Sequence, residues 1–262
     1  LFGFKFRNIT YSQEDKAQGR SKYLNSKGLS KSAGLFGIGI GYKDVTIVEG
    51  ELDALHAKVM GIPNVVATTG NGVSEEQAKE AIRRGVKRFT LLFDNDERGR
   101  GFVASSVQVL ERLHTSVFVA TLPDEAKDTD EYLGSHTIQE WSEVVNSSSV
   151  PVCLWKYNES VNKYYNLCQN QEGILTFKQR EDFFNEIEAI VNAPYTLAQD
   201  RELVFNALQA NAKDLQFNPE EYKAYIDKAY IRKQARQREE EANRASAEIA
   251  QLLKEHKVDE AI

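Results

Sequence analysis

Between Asp44 and Pro123 the chain changes pattern every few residues, and this alternation limits the folds open to it. DVTIVE (44–49) is a β-branched run fit for a buried parallel strand, followed by Gly50 and a short amphipathic helix, LDALHAKVM. NVVAT (64–68) reads as the next strand and TGNGVS as a glycine loop. Ser74, with Gln77 three residues on, forms a capping box for SEEQAKEAIRRG. KRFTLLFD is the central strand, FVASSVQVLERL a helix, and SVFVATLP a strand closed by Pro123. A β-α-β-α-β-α-β order implies a parallel sheet with right-handed crossovers.

Acids stand at the strand ends of this pattern. Glu49 ends the first strand, and Asp53 follows one helical turn on. Asp94 and Asp96 end the central strand, before a loop rich in glycine and arginine. Asp128 and Asp130 repeat the i, i+2 spacing after the last strand. Residues i and i+2 of an extended chain face the same way, so Asp94 and Asp96 address one spot, where ligands gather in open α/β sheets. A solvated turn explains any one of these acids alone; four signals in one order make coincidence a poor explanation. Neighbouring carboxylates repel unless cations lie between them. One or two Mg²⁺ or Mn²⁺ ions are the simplest solution and suit in-line phosphoryl or nucleotidyl transfer. Gly70 and Gly72 would let backbone N–H groups approach a phosphate, and Arg98 and Arg100 would neutralise its charge.

The net charge of −6 hides a gradient. Residues 1–43 hold eight basic residues (Lys5, Arg7, Lys16, Arg20, Lys22, Lys27, Lys31, Lys43) against Glu14 and Asp15. GFKFRNI alternates like a half-exposed strand. The string after it interleaves Arg20, Lys22, Lys27 and Lys31 with Tyr23 and Asn25, a set that can contact phosphate, stack on a base and bond sugar or base. A surface loop with Tyr23 and a leucine buried is the bland counterpart.

After residue 134 glycine nearly disappears. Thr137–Val145, Pro151–Gln169, Thr176–Ala193 and Thr196–Leu215 carry helical apolar faces, and Asn218-Pro219-Glu220-Glu221 is a strong helix start. The stretch beyond is polar all round, as a spacer helix would be. Cys153 and Cys168 form no CxxC pair; they read as core cysteines in a reducing, cytoplasmic protein, with no zinc site in the chain. No apolar run reaches membrane-spanning length and no signal peptide opens the chain. The opening inside a strand-like run suggests a fragment.

EGxxD, glycine loop, DxD and KDxD in this order resemble the TOPRIM domain of primases, topoisomerases, OLD-family nucleases and RecR-type recombination proteins. Glu49, Asp94 and Asp96 match that family's metal-binding acids, and Asp53 the aspartate of EGxxD. FRN, SKYLNS and KSAGLFGI resemble the basic subdomain before the TOPRIM fold of DnaG-type primases, and LPDEAKDTDEYL the segment after its last strand. The resemblance covers roughly residues 1–135. It implies an α/β TOPRIM fold over 44–135 and a partial basic template-binding subdomain over 1–43; the helical periodicity beyond reads as a helical bundle over 136–217 and a long helix or linker over 218–262. The resemblance also implies primer synthesis on single-stranded DNA from nucleoside triphosphates. Glu49, Asp53, Asp94 and Asp96 would be catalytic. Glu49, Asp94, Asp96, Asp128 and Asp130 would hold the metals, while Arg20, Lys22, Tyr23, Asn25 and Lys31 would guide the template. A replicative helicase, fused or separate, would follow the linker. The family's zinc-binding domain and the first part of its core have no counterpart here. A TOPRIM nuclease, or a non-catalytic single-strand-binding module linked to a helicase, are the alternatives; a topoisomerase would need a separate tyrosine domain.

Overall fold

The structure, a computed structural model, describes residues 3–123, 125–170, 175–193, 196–212 and 218–259. The chain divides into two compact units, Leu1–Trp155 and Lys156–Ile262.

In the first unit, β1 (Lys5–Arg7) and β2 (Tyr23–Asn25) pair antiparallel, with Phe6 opposite Leu24 and Arg7 opposite Tyr23. Between them lies a single turn of helix, α1 (Gln13–Ala17), capped by Ser12 and Asp15. Tyr23 and Leu24 are exposed while Leu35 of the same string is buried, so the buried-loop reading fails for the tyrosine and holds for that leucine.

The main sheet has the order β4-β3-β5-β6-β7, from β3 (Asp44–Val48), β4 (Val65–Ala67), β5 (Arg88–Leu91), β6 (Ser116–Val119) and β7 (Val150–Pro151). The first four are mutually parallel, as expected, and β5 is central. β7 is a correction. Pro151, read from sequence as a helix start, instead forms with Val150 a two-residue antiparallel edge on β6. Proline lacks an N–H and is tolerated at such an edge.

Alternate residues of β3 serve opposite faces: Val45 and Ile47 enter one core with Phe89 and Leu91, and Val48 enters the other with Val65 and Leu92. Helices α3 (Glu75–Arg83) and α4 (Glu97–Arg112) cover the first face through Ala78, Ala81, Val107 and Leu110. Helices α2 (Glu51–Val59), α5 (Thr129–Leu133) and α6 (Ile138–Ser148) cover the second through Ala54, Ala57, Leu133 and Trp141. Because β4 and β5 lie on opposite sides of β3, the crossover direction reverses there. That reversal opens a crevice at the carboxyl ends of β3 and β5.

The boundary between units falls within α7 (Val152–Asn170). The second unit continues with α8 (Phe177–Val191), α9 (Ala198–Asn211) and α10 (Pro219–Asp259). Its aromatic residues interlock: Tyr164 meets Phe183 edge-on at 5.2 Å, and Phe184 stacks on Tyr222 at 4.1 Å. The Tyr222 hydroxyl donates to the Phe184 carbonyl at 2.6 Å. Asn218 Oδ1 accepts from the Glu220 N–H at 3.1 Å, the expected helix start. Cys153 is buried; the Cys168 side chain and Leu215 lie outside the described part.

Candidate active site at the sheet switch point

Glu49 follows β3 directly and is 8% exposed; Asp94, half-buried, lies three residues past β5. The Asp94 N–H points at Glu49 Oε1 from 3.4 Å. Gly50 then caps α2, and Asp53 reaches back so that its Oδ2 accepts the Gly50 N–H at 3.2 Å. A Cβ on residue 50 would stand 2.4 Å from that carboxylate oxygen. The glycine of the EGxxD pattern is therefore what lets the aspartate fold onto the helix start.

Asp53 does a second job. Its Oδ1 accepts the Asp130 N–H at 2.9 Å, tying α2 to α5. Asp130 Oδ1 in turn pairs with His56 Nδ1 at 2.8 Å. Asp128 caps α5, accepting the Glu131 N–H at 2.9 Å.

Asp94 and Asp96 do not sit on an extended strand. The chain turns at once, with the Asp96 N–H on the Asp94 carbonyl at 2.8 Å, and Asp96 Oδ1 caps α4 by accepting the Gly99 N–H at 2.7 Å. The stretch read as a loop rich in glycine and arginine is thus the first turn of α4. The reason lies in Gly99: a Cβ there would stand 2.0 Å from the Asp94 carbonyl oxygen. Glycine alone lets the helix start so close to the strand end.

Among the described residues, no three His, Cys, Asp or Glu side chains converge closely enough to wrap one ion. The electrostatics nevertheless mark the spot. Burial first, and then the charges of Glu49, Asp53 and Asp128, push the Asp94 carboxyl up to about 7, with Lys127 opposing. Glu49 is raised by burial, against the Asp94 N–H and Arg98. Asp53 is raised by burial, against the Asp130 N–H. Repelling carboxylates of this kind, all hard oxygen donors, fit a divalent cation.

Of the two glycines expected to receive phosphate, one already uses its backbone N–H and the other is closely packed. The Gly70 N–H donates to the Glu49 carbonyl at 2.9 Å. A Cβ on Gly72 would come within 2.6 Å of Ser105 Oγ on α4. Arg98 donates to the Gly70 carbonyl at 2.9 Å, clipping this loop to α4, and Arg100 is exposed. Thr69, at φ 72°, lies in the same loop; the sequence offered no sign of this strained conformation.

A cavity of about 810 Å³ opens beside these acids. Its lining includes Lys5, Arg7, Lys22 and Tyr23 from the hairpin, Asp53 from α2, and Lys127, Asp128 and Asp130 at the start of α5; Glu49 and Asp94 are outside it. Of the expected template residues, Lys22 and Tyr23 are thus placed on the cavity, and Arg20 and Asn25 are not. Arg20 is paired with Asp15 at 2.9 Å, Asn25 lies on β2 opposite Lys5, and the Lys31 side chain is outside the described part. Lys5 and Arg7 were missed as site residues. Their i, i+2 spacing in GFKFRNI was the available signal.

A Toprim-like family profile matches residues 46–133. A DNA primase of Clostridium acetobutylicum is 24% identical over 203 residues, covering 74% of this chain and 33% of that protein. A crystal structure of a DNA primase domain from Pseudomonas aeruginosa superposes with a TM-score of 0.61 at 18% identity, covering 87% of this chain and 68% of that one. A DnaG primase catalytic domain bound to single-stranded DNA gives 0.61 at 16% identity, with 80% and 66% covered. The chain spans about a third of the length of the curated relatives it matches. No described helix is long and apolar enough to cross a membrane. Residues 46–133 thus match a Toprim-like profile, and the chain is similar in sequence to DNA primases and shares the fold of the DnaG catalytic core.

Proposed function

We propose that this chain is the polymerising core of a primase, which makes short RNA primers on single-stranded DNA by joining a 3′-hydroxyl to the α-phosphate of a nucleoside triphosphate. The observation that carries this reading is the meeting of Glu49 and Asp94 at the switch point, beside a cavity lined by basic hairpin residues and by Asp53, Asp128 and Asp130. Glu49, Asp94 and Asp96 would hold Mg²⁺ or Mn²⁺, with Asp128 and Asp130 adding oxygens directly or through water. Bound there, the ions supply charge stabilisation to the attacking and leaving oxygens.

The protein's own groups orient the reactants. Asp53 fixes the start of α2 and hence the Glu49 carboxylate just before it. Arg7 and Lys22 face the cavity and bind phosphates of the template or nucleotide. Tyr23 offers a ring for a base, with Lys5 Nζ 4.5 Å from its centroid. Arg98, anchored on the Gly70 carbonyl, stands where negative charge collects near Glu49. We assign residues 1–43 to template binding, 44–135 to the catalytic domain, 136–217 to a helical bundle, and 218–262 to a connector toward a replicative helicase. The exposed, polar 238–249 stretch of α10 supports the connector role.

The test incubates an end-labelled single-stranded oligonucleotide with Mg²⁺ or Mn²⁺, with and without ribonucleoside triphosphates. New short RNA on an intact template is the expected result. Template shortened without nucleotides would replace this reading with a nuclease, and binding with neither product would replace it with a binding module.

A further inference from the structure

Among the described residues, one polar contact joins the β1–β2 hairpin to the catalytic domain. Lys5 Nζ lies 2.6 Å and 2.7 Å from the two carboxylate oxygens of Glu51, and both side chains are about four-fifths buried. Among the described residues, it is the one hydrogen bond or ion pair that joins residues 3–29 to residues 44–155. The segment after the hairpin is attached otherwise: Phe36 bridges to Ala67, and Ser74 and Gln77 bond the carbonyls of Ser32 and Gly34. The hairpin thus extends from a docked strap, with the Lys5–Glu51 pair as its one polar tie among the described residues.

That tie is well placed. Glu51 is the first residue of α2, two positions after Glu49. Lys5 lies on the face of β1 that carries Arg7, and both line the cavity with Lys22 and Tyr23. The ammonium group also stands 4.5 Å from the centre of the Tyr23 ring. The contact therefore fixes at once the position of the basic hairpin relative to α2 and the attitude of the aromatic ring. An isolated two-stranded hairpin is marginal in water, so the hairpin borrows its order from this attachment.

We propose that Lys5 and Glu51 are positioning residues: their ion pair sets the basic hairpin at working distance from the carboxylates and so determines how tightly a nucleic-acid strand is held. The proposal rests on the primase reading. It gives Glu51, an acid beside a site for a polyanion, a role opposite to the one its charge alone suggests.

The test uses Lys5→Glu, Glu51→Lys and the double swap in the 262-residue chain, with single-strand affinity read by fluorescence anisotropy. If only through-space charge mattered, the two single variants would move in opposite directions. Lys5→Glu would weaken binding to a polyanion and Glu51→Lys would strengthen it. Loss of the tie instead weakens both, by about five- to tenfold, and the swap restores affinity to near the parent value. Opposite shifts, no shift, or a swap as weak as the single variants would overturn the proposal. Hydrogen exchange separates it from the primase reading. Faster exchange across residues 5–25 in each single variant, reversed in the swap, supports the tie even if the chain makes no primer. Unchanged exchange overturns the tie even if primers are made.

Discussion

Asp53 and Asp130 are 77 residues apart in the chain, yet the Asp130 backbone N–H rests on Asp53 Oδ1 at 2.9 Å. With the Gly50 N–H on its other oxygen, Asp53 joins the starts of α2 and α5 through one buried carboxylate. Its first task is structural: it holds the two acidic strand ends in one frame.

Asp53→Ala leaves two backbone donors without their acceptor. It should lower unfolding free energy by about 2 kcal/mol, measured by denaturant unfolding. Asp53→Asn keeps an acceptor oxygen and should lose less.

The Asp94 carboxyl, raised to about 7 by burial and by Glu49, Asp53 and Asp128, makes stability depend on pH. A carboxyl raised in the folded state favours folding below its unfolded value of about 4, and that contribution disappears as pH rises through the folded value. Melting temperature in chelator should therefore fall between about pH 4 and pH 8. Asp94→Asn should flatten that fall, and added Mg²⁺ should reverse it above neutrality. A wild-type profile identical to that of Asp94→Asn would count against this electrostatic picture.

Two glycines in the first turns of α4 should respond oppositely to alanine. At Gly99 the new Cβ would press into the Asp94 carbonyl, and nothing flexible can yield. The cost should be about 3 kcal/mol. At Gly101 the space is open, and the helix should gain up to about 1 kcal/mol. Thermal melts of the two variants decide it.

Arg7 and Lys22 line the cavity, so each should release counterions when a strand binds. Replacing either with alanine should weaken binding regardless of sequence and reduce the slope of log affinity on log salt by about 0.7. Arg20, paired with Asp15, should change the slope less.

The sequence made the sheet legible because β-branched runs such as Val45–Val48 and the apolar Phe89–Phe93 can only be buried, and the strand-end acids follow from that. It did not reveal what depends on distant partners. The two-residue β7 carries too little pattern to separate from the helix behind it. The Asp53–Asp130 bond joins elements far apart in the chain. Asp96 reads equally well as the second acid of an extended pair or as a helix cap, and only the close approach of Gly99 to Asp94 decides for the cap. The i, i+2 rule was applied to Asp94 and Asp96, where the chain turns. It held for Lys5 and Arg7, where the strand is real.

The measurement that bears most directly on the central claim is template-directed nucleotide incorporation with Mn²⁺, comparing the wild type with Asp94→Ala. A wild type that makes short products, with a rate lower by about a hundredfold or more in the variant, is the predicted result. Equal rates in the two proteins would contradict the claim that the Glu49–Asp94 crevice is where the chemistry occurs.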